Sequence, residues 1–228
     1  MNTPFDPGRR TFLLSATAAL GGVGLMGLIR EALAMGVRPQ IEGVQKVRGE
    51  VKINGVLASV GKPVLPGDIV TTGKDSHVVL IAGQDAFLVR DGSRVEITGR
   101  AAAGKPSLPK GLKIDTGKVL SVFAKGAIRV VTPTVVAGVR GTGMYVESEA
   151  DLTYICACYG TVDIEASAYP GIHETVTTTH HEQPRYVLGK CAGSPILKAP
   201  VLNHTDAELI MLEALVDRVP PFSGWEKY

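Results

Sequence analysis

From Val44 onward the chain is cut into short runs of β-branched and apolar residues, each closed by residues that turn a backbone. Val47 to Ile53 alternates and ends at Asn54-Gly55, two residues that tolerate positive φ and so favour a tight hairpin. Leu65-Pro66-Gly67-Asp68 is a second turn, followed by Ile69 to Thr72. His77 to Ile81 and Ala86 to Arg90 flank Gly83-Gln84-Asp85, and Asp91-Gly92 leads into Ser93 to Ile97. Ala101 to Lys110 is small, basic and proline-containing and reads as a loop. Leu112 to Ile114, Lys118 to Ala124 and Ala127 to Val131 then continue the series. Turns spaced roughly 8–12 residues apart suit an all-β chain and not βαβ units. The expected fold is an antiparallel β-sandwich, or a short β-solenoid or roll, with one C-terminal helix. Abundant glycine (27) and proline (14) with only 5% aromatic residues point the same way.

Outside the N-terminal segment, a helical period appears only after residue 200. Thr205 or Asp206 caps a helix whose Leu209, Ile210, Leu212, Leu215 and Val216 fall largely on one face. Asp206 to Glu208 put negative charge in its first turn, Arg218 sits near its last, and Pro220-Pro221 stops it. The apolar stripe is expected to pack onto the sheet. The chain accordingly divides into an N-terminal segment (1–34), a β domain (35–200) and a helix with its tail (201–228). Its 24 basic and 22 acidic residues imply no large basic face, so nucleic acid is not an expected partner.

The N-terminal segment has its own logic. Arg9-Arg10, a spacer and Phe12-Leu13 resemble the twin-arginine export motif, and a glycine-broken apolar run extends from Phe12 to Ile29. Ala32-Leu33-Ala34 follows as a small-residue cleavage pattern. The run is also roughly long enough to span a bilayer, so an uncleaved segment would anchor the chain in the inner membrane. Either outcome predicts a periplasmic protein. Twin-arginine export carries chains already folded, which favours a group inserted before export.

Two stretches of the β domain resemble the FecR family. One runs from Gly61 through Leu65-Pro66-Gly67-Asp68-Ile69-Val70-Thr71-Thr72-Gly73 and Asp75-Ser76 to Val78-Val79-Leu80-Ile81. The other is Val131-Thr132-Pro133-Thr134-Val135-Val136-Ala137-Gly138-Val139-Arg140-Gly141-Thr142, continued by Tyr145-Val146 and Gly160-Thr161-Val162. The resemblance covers roughly residues 44 to 190. It implies a non-catalytic periplasmic sensing or binding domain with a protein partner in the cell envelope. Only eleven residues precede the apolar run, so the cytoplasmic anti-sigma domain of the family's regulators is not expected there. In the second stretch, glycines around Val139-Arg140 permit a bulge, and Thr142 can bond to the local backbone. Arg140 is the candidate for tying a loop or meeting an anionic partner.

The chemistry-bearing residues gather late in the chain. Cys156 and Cys158 stand two apart in a probable strand, so they share one face with Cα atoms about 6.6 Å apart. That spacing strains a direct disulfide but lets two thiolates converge on one metal. His180-His181 and Cys191 follow after two further strand-like runs. Adjacent histidines in a strand face opposite ways, so only one should join the cysteines. A Cys₃His set from Cys156, Cys158, one of His180 and His181, and Cys191 would suit zinc or an iron or iron–sulfur centre. Two alternatives stay open: a disulfide from Cys191 to Cys156 or Cys158, or inert buried thiols. His204 reads as a helix-capping residue, His77 as a surface residue and His173 as solvated. No phosphate-binding loop, nucleophile elbow or paired carboxylate in a recognisable frame appears, so a non-catalytic role is expected. The alternatives are a disulfide-stapled interaction protein and a redox or electron-transfer protein.

Overall fold

The computed structural model describes residues 41–100 and 108–222. The N-terminal segment whose sequence resembles an export signal and residues 101–107 lie outside them, and no helix among the described residues is long and apolar enough to cross a membrane. Among the described residues, fourteen strands precede a single helix. They are β1 (Gly43–Arg48), β2 (Val51–Ile53), β3 (Val56–Leu57), β4 (Ile69–Thr72), β5 (His77–Ala82), β6 (Asp85–Val89) and β7 (Arg94–Arg100). β8 (Leu108–Val122), β9 (Ala127–Val131), β10 (Val135–Ser148), β11 (Leu152–Ala166), β12 (His173–Thr178), β13 (Arg185–Leu188) and β14 (Ile196–Lys198) follow, then α1 (Asp206–Leu215). The all-β class with one C-terminal helix therefore holds.

Asn54 and Gly55 join β2 to β3 with φ of 53° and 79°, the left-handed pair that their sequence predicts. Leu108 to Lys110, read as loop from its composition, instead opens β8. That strand continues for 15 residues because Gly117, at φ 103°, lets it bend past Ser93 without losing its ladder. A side chain at Gly117 would place Cβ 2.1 Å from the Ser93 hydroxyl.

Length is what organises the sheet. β8 lies between β7 and β9 in its first half and between β6 and β10 in its second. β10 leaves β9 for β8 after a bulge between Arg140 and Gly143. β11 follows β10 throughout, with β13 beside its beginning and β12 beside its end. The result is one branched 14-stranded sheet. Every pairing among the described residues is antiparallel except β8 with β9.

Along the central strands both faces are buried, which gives β5 and β6 nearly continuous apolar sequence. Alternation sends Val78, Leu80, Phe87, Val89, Val119, Met144, Val146 and Ile155 into the main core. Val79, Ile81, Leu88, Leu120, Val122, Tyr145, Tyr154, Cys156 and Cys158 point the other way, into a second core. Helix α1 closes that second core with Leu209, Met211 and Leu212, all fully buried. Each such side chain stabilises the packed state by about 1.5–3 kcal/mol relative to exposure. The sequence placed Ile210 and Leu215 on the packed face; the helix instead buries Met211 and turns Ile210 partly outward.

Candidate metal centre

The two-residue period of β11 places Tyr154, Cys156 and Cys158 on the face that α1 covers. Tyr154 sets the approach of the chain that leads into the helix. Its hydroxyl donates to the Pro200 carbonyl (3.0 Å) and accepts from the Leu202 amide (3.1 Å). Asn203, at φ 56°, donates to Glu147 at 2.7 Å. Together these contacts swing His204 over the sheet, where its ring stacks on Tyr145 with centroids 4.6 Å apart.

His181 arrives from the turn between β12 and β13. Its amide donates to the Cys158 carbonyl (2.9 Å), which fixes the turn against β11, and its φ of 59° points the ring inward. Glu182 braces the turn by accepting from the Thr179 and His180 amides at 2.9 and 3.0 Å.

Cys156, Cys158, His181 and His204 thereby converge, with one donor atom from each lying within 4.8 Å of all the others. His181 Nδ1 is 3.6 Å from Cys156 Sγ and 2.9 Å from His204 Nε2. The far nitrogen of each ring meets an acceptor. His204 Nδ1 donates to the Leu202 carbonyl at 2.6 Å, and His181 Nε2 donates to Asp206 at 3.1 Å. Those acceptors fix both tautomers, so each imidazole aims a lone pair into the cluster. Two lone pairs facing each other at 2.9 Å repel unless a cation lies between them, either a proton or a metal ion.

The electrostatics agree with that demand. Hydrogen bonding from Cys158, and from His181 and His204 when a proton sits between them, outweighs burial and holds the Cys156 thiol down at about 4, which favours its thiolate form. Burial and the neighbouring Cys156 push Cys158 up. Burial lowers His181, but its bonds to Cys156 and Asp206 outweigh this and raise it. Two thiols and two imidazoles form a soft, four-donor set of the kind that closes around tetrahedral zinc.

The structure thus unites Cys156, Cys158 and His181 from the expected set and leaves two members out. His180 turns outward, its side chain 47% exposed, and shares Asp206 at 3.0 Å. Cys191 sits in the β13–β14 connection, where its thiol donates to the Gly193 carbonyl and its amide to Tyr169. It takes no part in the cluster, and all three thiols are free. His204 takes the fourth place. It does not cap the helix, because Thr205 does so in a reciprocal pair with Glu208. No local spacing announces His204, which lies 23 residues beyond His181 and is delivered by the Tyr154 and Asn203 contacts.

Elsewhere, Arg140 is 73% exposed and faces Asp163 at 3.5 Å across the β10–β11 ladder. Thr142 bonds to the Arg140 carbonyl at 2.9 Å beside the bulge that its glycines allow. His77, read as a surface residue, is half-buried with its Nε2 enclosed.

No family model matches the sequence, and no curated protein matches it. Two crystal structures of a candidate anti-sigma factor from Parabacteroides distasonis ATCC 8503, at 1.65 and 2.50 Å resolution, are similar at 12% identity and a TM-score of 0.45. The similarity spans 57% of this chain and 58% of theirs, rather more than half the length of those solved chains. A likeness at that level leaves the function to be read from the site itself.

Proposed function

We propose that this chain is a non-catalytic, FecR-like sensing or binding domain of the periplasm, built around a metal centre held by Cys156, Cys158, His181 and His204. The observation that carries the reading is the pair of imidazole lone pairs and two thiol groups aimed at one buried point. Zinc fits the donor set best, because four N and S donors with fixed tautomers match its closed tetrahedral sites. Iron is the alternative for the same soft donors. Export already folded, suggested by the twin-arginine segment, would let the ion be inserted in the cytoplasm. The FecR resemblance supports a protein partner in the cell envelope, with the inner membrane adjoining if the N-terminal segment is retained.

The test is elemental analysis with a visible spectrum, on protein purified without chelators from its native periplasm. About one ion per chain is expected, lost in Cys158→Ser and retained in Cys191→Ser. A colourless zinc protein and a coloured iron protein separate the two metals. A metal-free chain that takes up neither ion when titrated sinks the reading.

A further inference from the structure

The metal donors come from three separate places: strand β11, the β12–β13 turn, and the segment entering α1. Only His204 belongs to the helical segment. A metal bound there joins the sheet to the start of the helix, immediately before the Thr205 cap. The outer bonds run the same way, since Asp206, the first residue of α1, accepts from His181 and His180 in the turn.

The rest of the helix is weakly committed to its place. At ten residues it is too short to persist alone in water. It carries two carboxylates into the interface. Glu208 is 7% exposed and meets Arg90 at 2.7 Å; Glu213 is 3% exposed and is held by Tyr159 and by Arg218 at 2.5 Å. Removing carboxylates from water offsets much of what the apolar contacts contribute. Segments with that balance are the ones that open locally while a core stays closed. The rim is also within reach of solvent, because His180 and Asp206 are each 47% exposed and His181 keeps 10% of its side-chain surface. An ion bound there can exchange without unfolding the sheet.

We infer that the centre is an exchangeable latch: metal occupancy holds α1 down, and metal loss releases it and uncovers the tyrosine-rich face beneath. The inference rests on the metal reading above and adds what the metal controls. Zinc meets four donors in the docked state and three in the open one, so it shifts docking by the ratio of its two affinities. A ratio of about 100 changes the opening equilibrium about 100-fold at saturating zinc.

The experiment is amide hydrogen exchange on the full chain, loaded with zinc or treated with chelator, alongside a zinc titration. Amides of 209–215 are expected to exchange about 100-fold faster after chelation than at saturating zinc, while those of β5 and β10 stay unchanged. His204→Ala leaves three ligands on the sheet side, so it should still take up zinc but show fast, zinc-independent exchange at 209–215. Stoichiometric zinc with unchanged exchange at 209–215 overturns the latch and leaves the metal reading standing. Loss of protection throughout the sheet on chelation also overturns it, because the ion would then hold the whole fold. A chain that binds no zinc overturns both.

Discussion

The two faces of the central strands are packed by different chemistry. The main core is built wholly from Val, Ile, Leu, Ala, Met and Phe, contributed by strands that enclose it themselves. The face under α1 mixes aliphatic residues with Tyr145, Tyr154, Tyr159, Cys156 and Cys158. Buried at its margins are Glu208, Glu213, His204 and Asp85. One residue on each strand serves the first face and its neighbour serves the second. The same β11 therefore contributes Ile155 and Ala157 to an inert core while Cys156 and Cys158 line the candidate site. Stability and chemistry are separated here by the pleat of a strand and not by domains.

That division is open to attack from its strongest point downward. Phe87, in edge-to-face contact with Phe123 at 5.9 Å, belongs to the main core. Phe87→Ala should cost about 3–5 kcal/mol in denaturant unfolding, by the same amount with and without zinc. A cost that depends on zinc would show that the two faces are energetically one.

On the helix side, Arg218→Ala strips Glu213 of its cation and leaves a buried carboxylate with Tyr159 alone. A loss of roughly 2 kcal/mol is expected, partly recovered by adding Glu213→Gln, because the penalty is that of an unpaired buried charge. No recovery in the double variant would move the cost to the Arg218 bond with the Gln84 carbonyl.

Asp85 gives a pH signature. Burial raises its pKa from 3.8 to about 6, against the opposing bond from the Ala124 amide and the nearby Arg218. The folded chain therefore holds a proton that the unfolded chain releases. The resulting contribution is fully present below about pH 4 and is lost as pH rises through about 6. It amounts to on the order of 3 kcal/mol. Asp85→Asn, whose amide oxygen can still accept from Ala124, should flatten unfolding stability across pH 4 to 6. An unaltered slope would assign the titration to another group.

The sequence made the strands legible wherever turn chemistry was explicit. Asn54-Gly55, Pro66-Gly67 and the run Ala127 to Val131 read correctly because local conformational preference and the final fold agree. β8 was hidden at its start because Leu108 to Lys110 looks like loop, and only pairing with β7 makes it strand. The same holds for the site. Cys156 and Cys158 were visible through their spacing, and the opposed directions of His180 and His181 followed from their adjacency. His204 was not, since its place depends on a tyrosine hydroxyl 50 residues earlier gripping the chain at Pro200 and Leu202. Cys191 lies apart from the cluster in the β13–β14 connection, a placement that residue type does not reveal.

A branched sheet also has more ends than a simple one. Among the described strands four have a partner on one side only: β1, β3, β12 and β14. Each such end is a template on which another chain could extend the ladder into a fibril. Here every one is blunted by its own means. β3 and β14 are two and three residues long, too short for an added strand to repay the ordering of its backbone, although Val56, Leu57 and Leu197 are exposed. β1 is broken by a bulge after Val44, presents Lys46 and Arg48, and is partly covered by bonds to Gly61 and Lys62. β12 shows solvent Thr175 and Thr177 beside Glu174, which is bound to the buried Arg185. Resistance to self-association in this molecule is thus written four times over, at the margins of the sheet that its three long strands created.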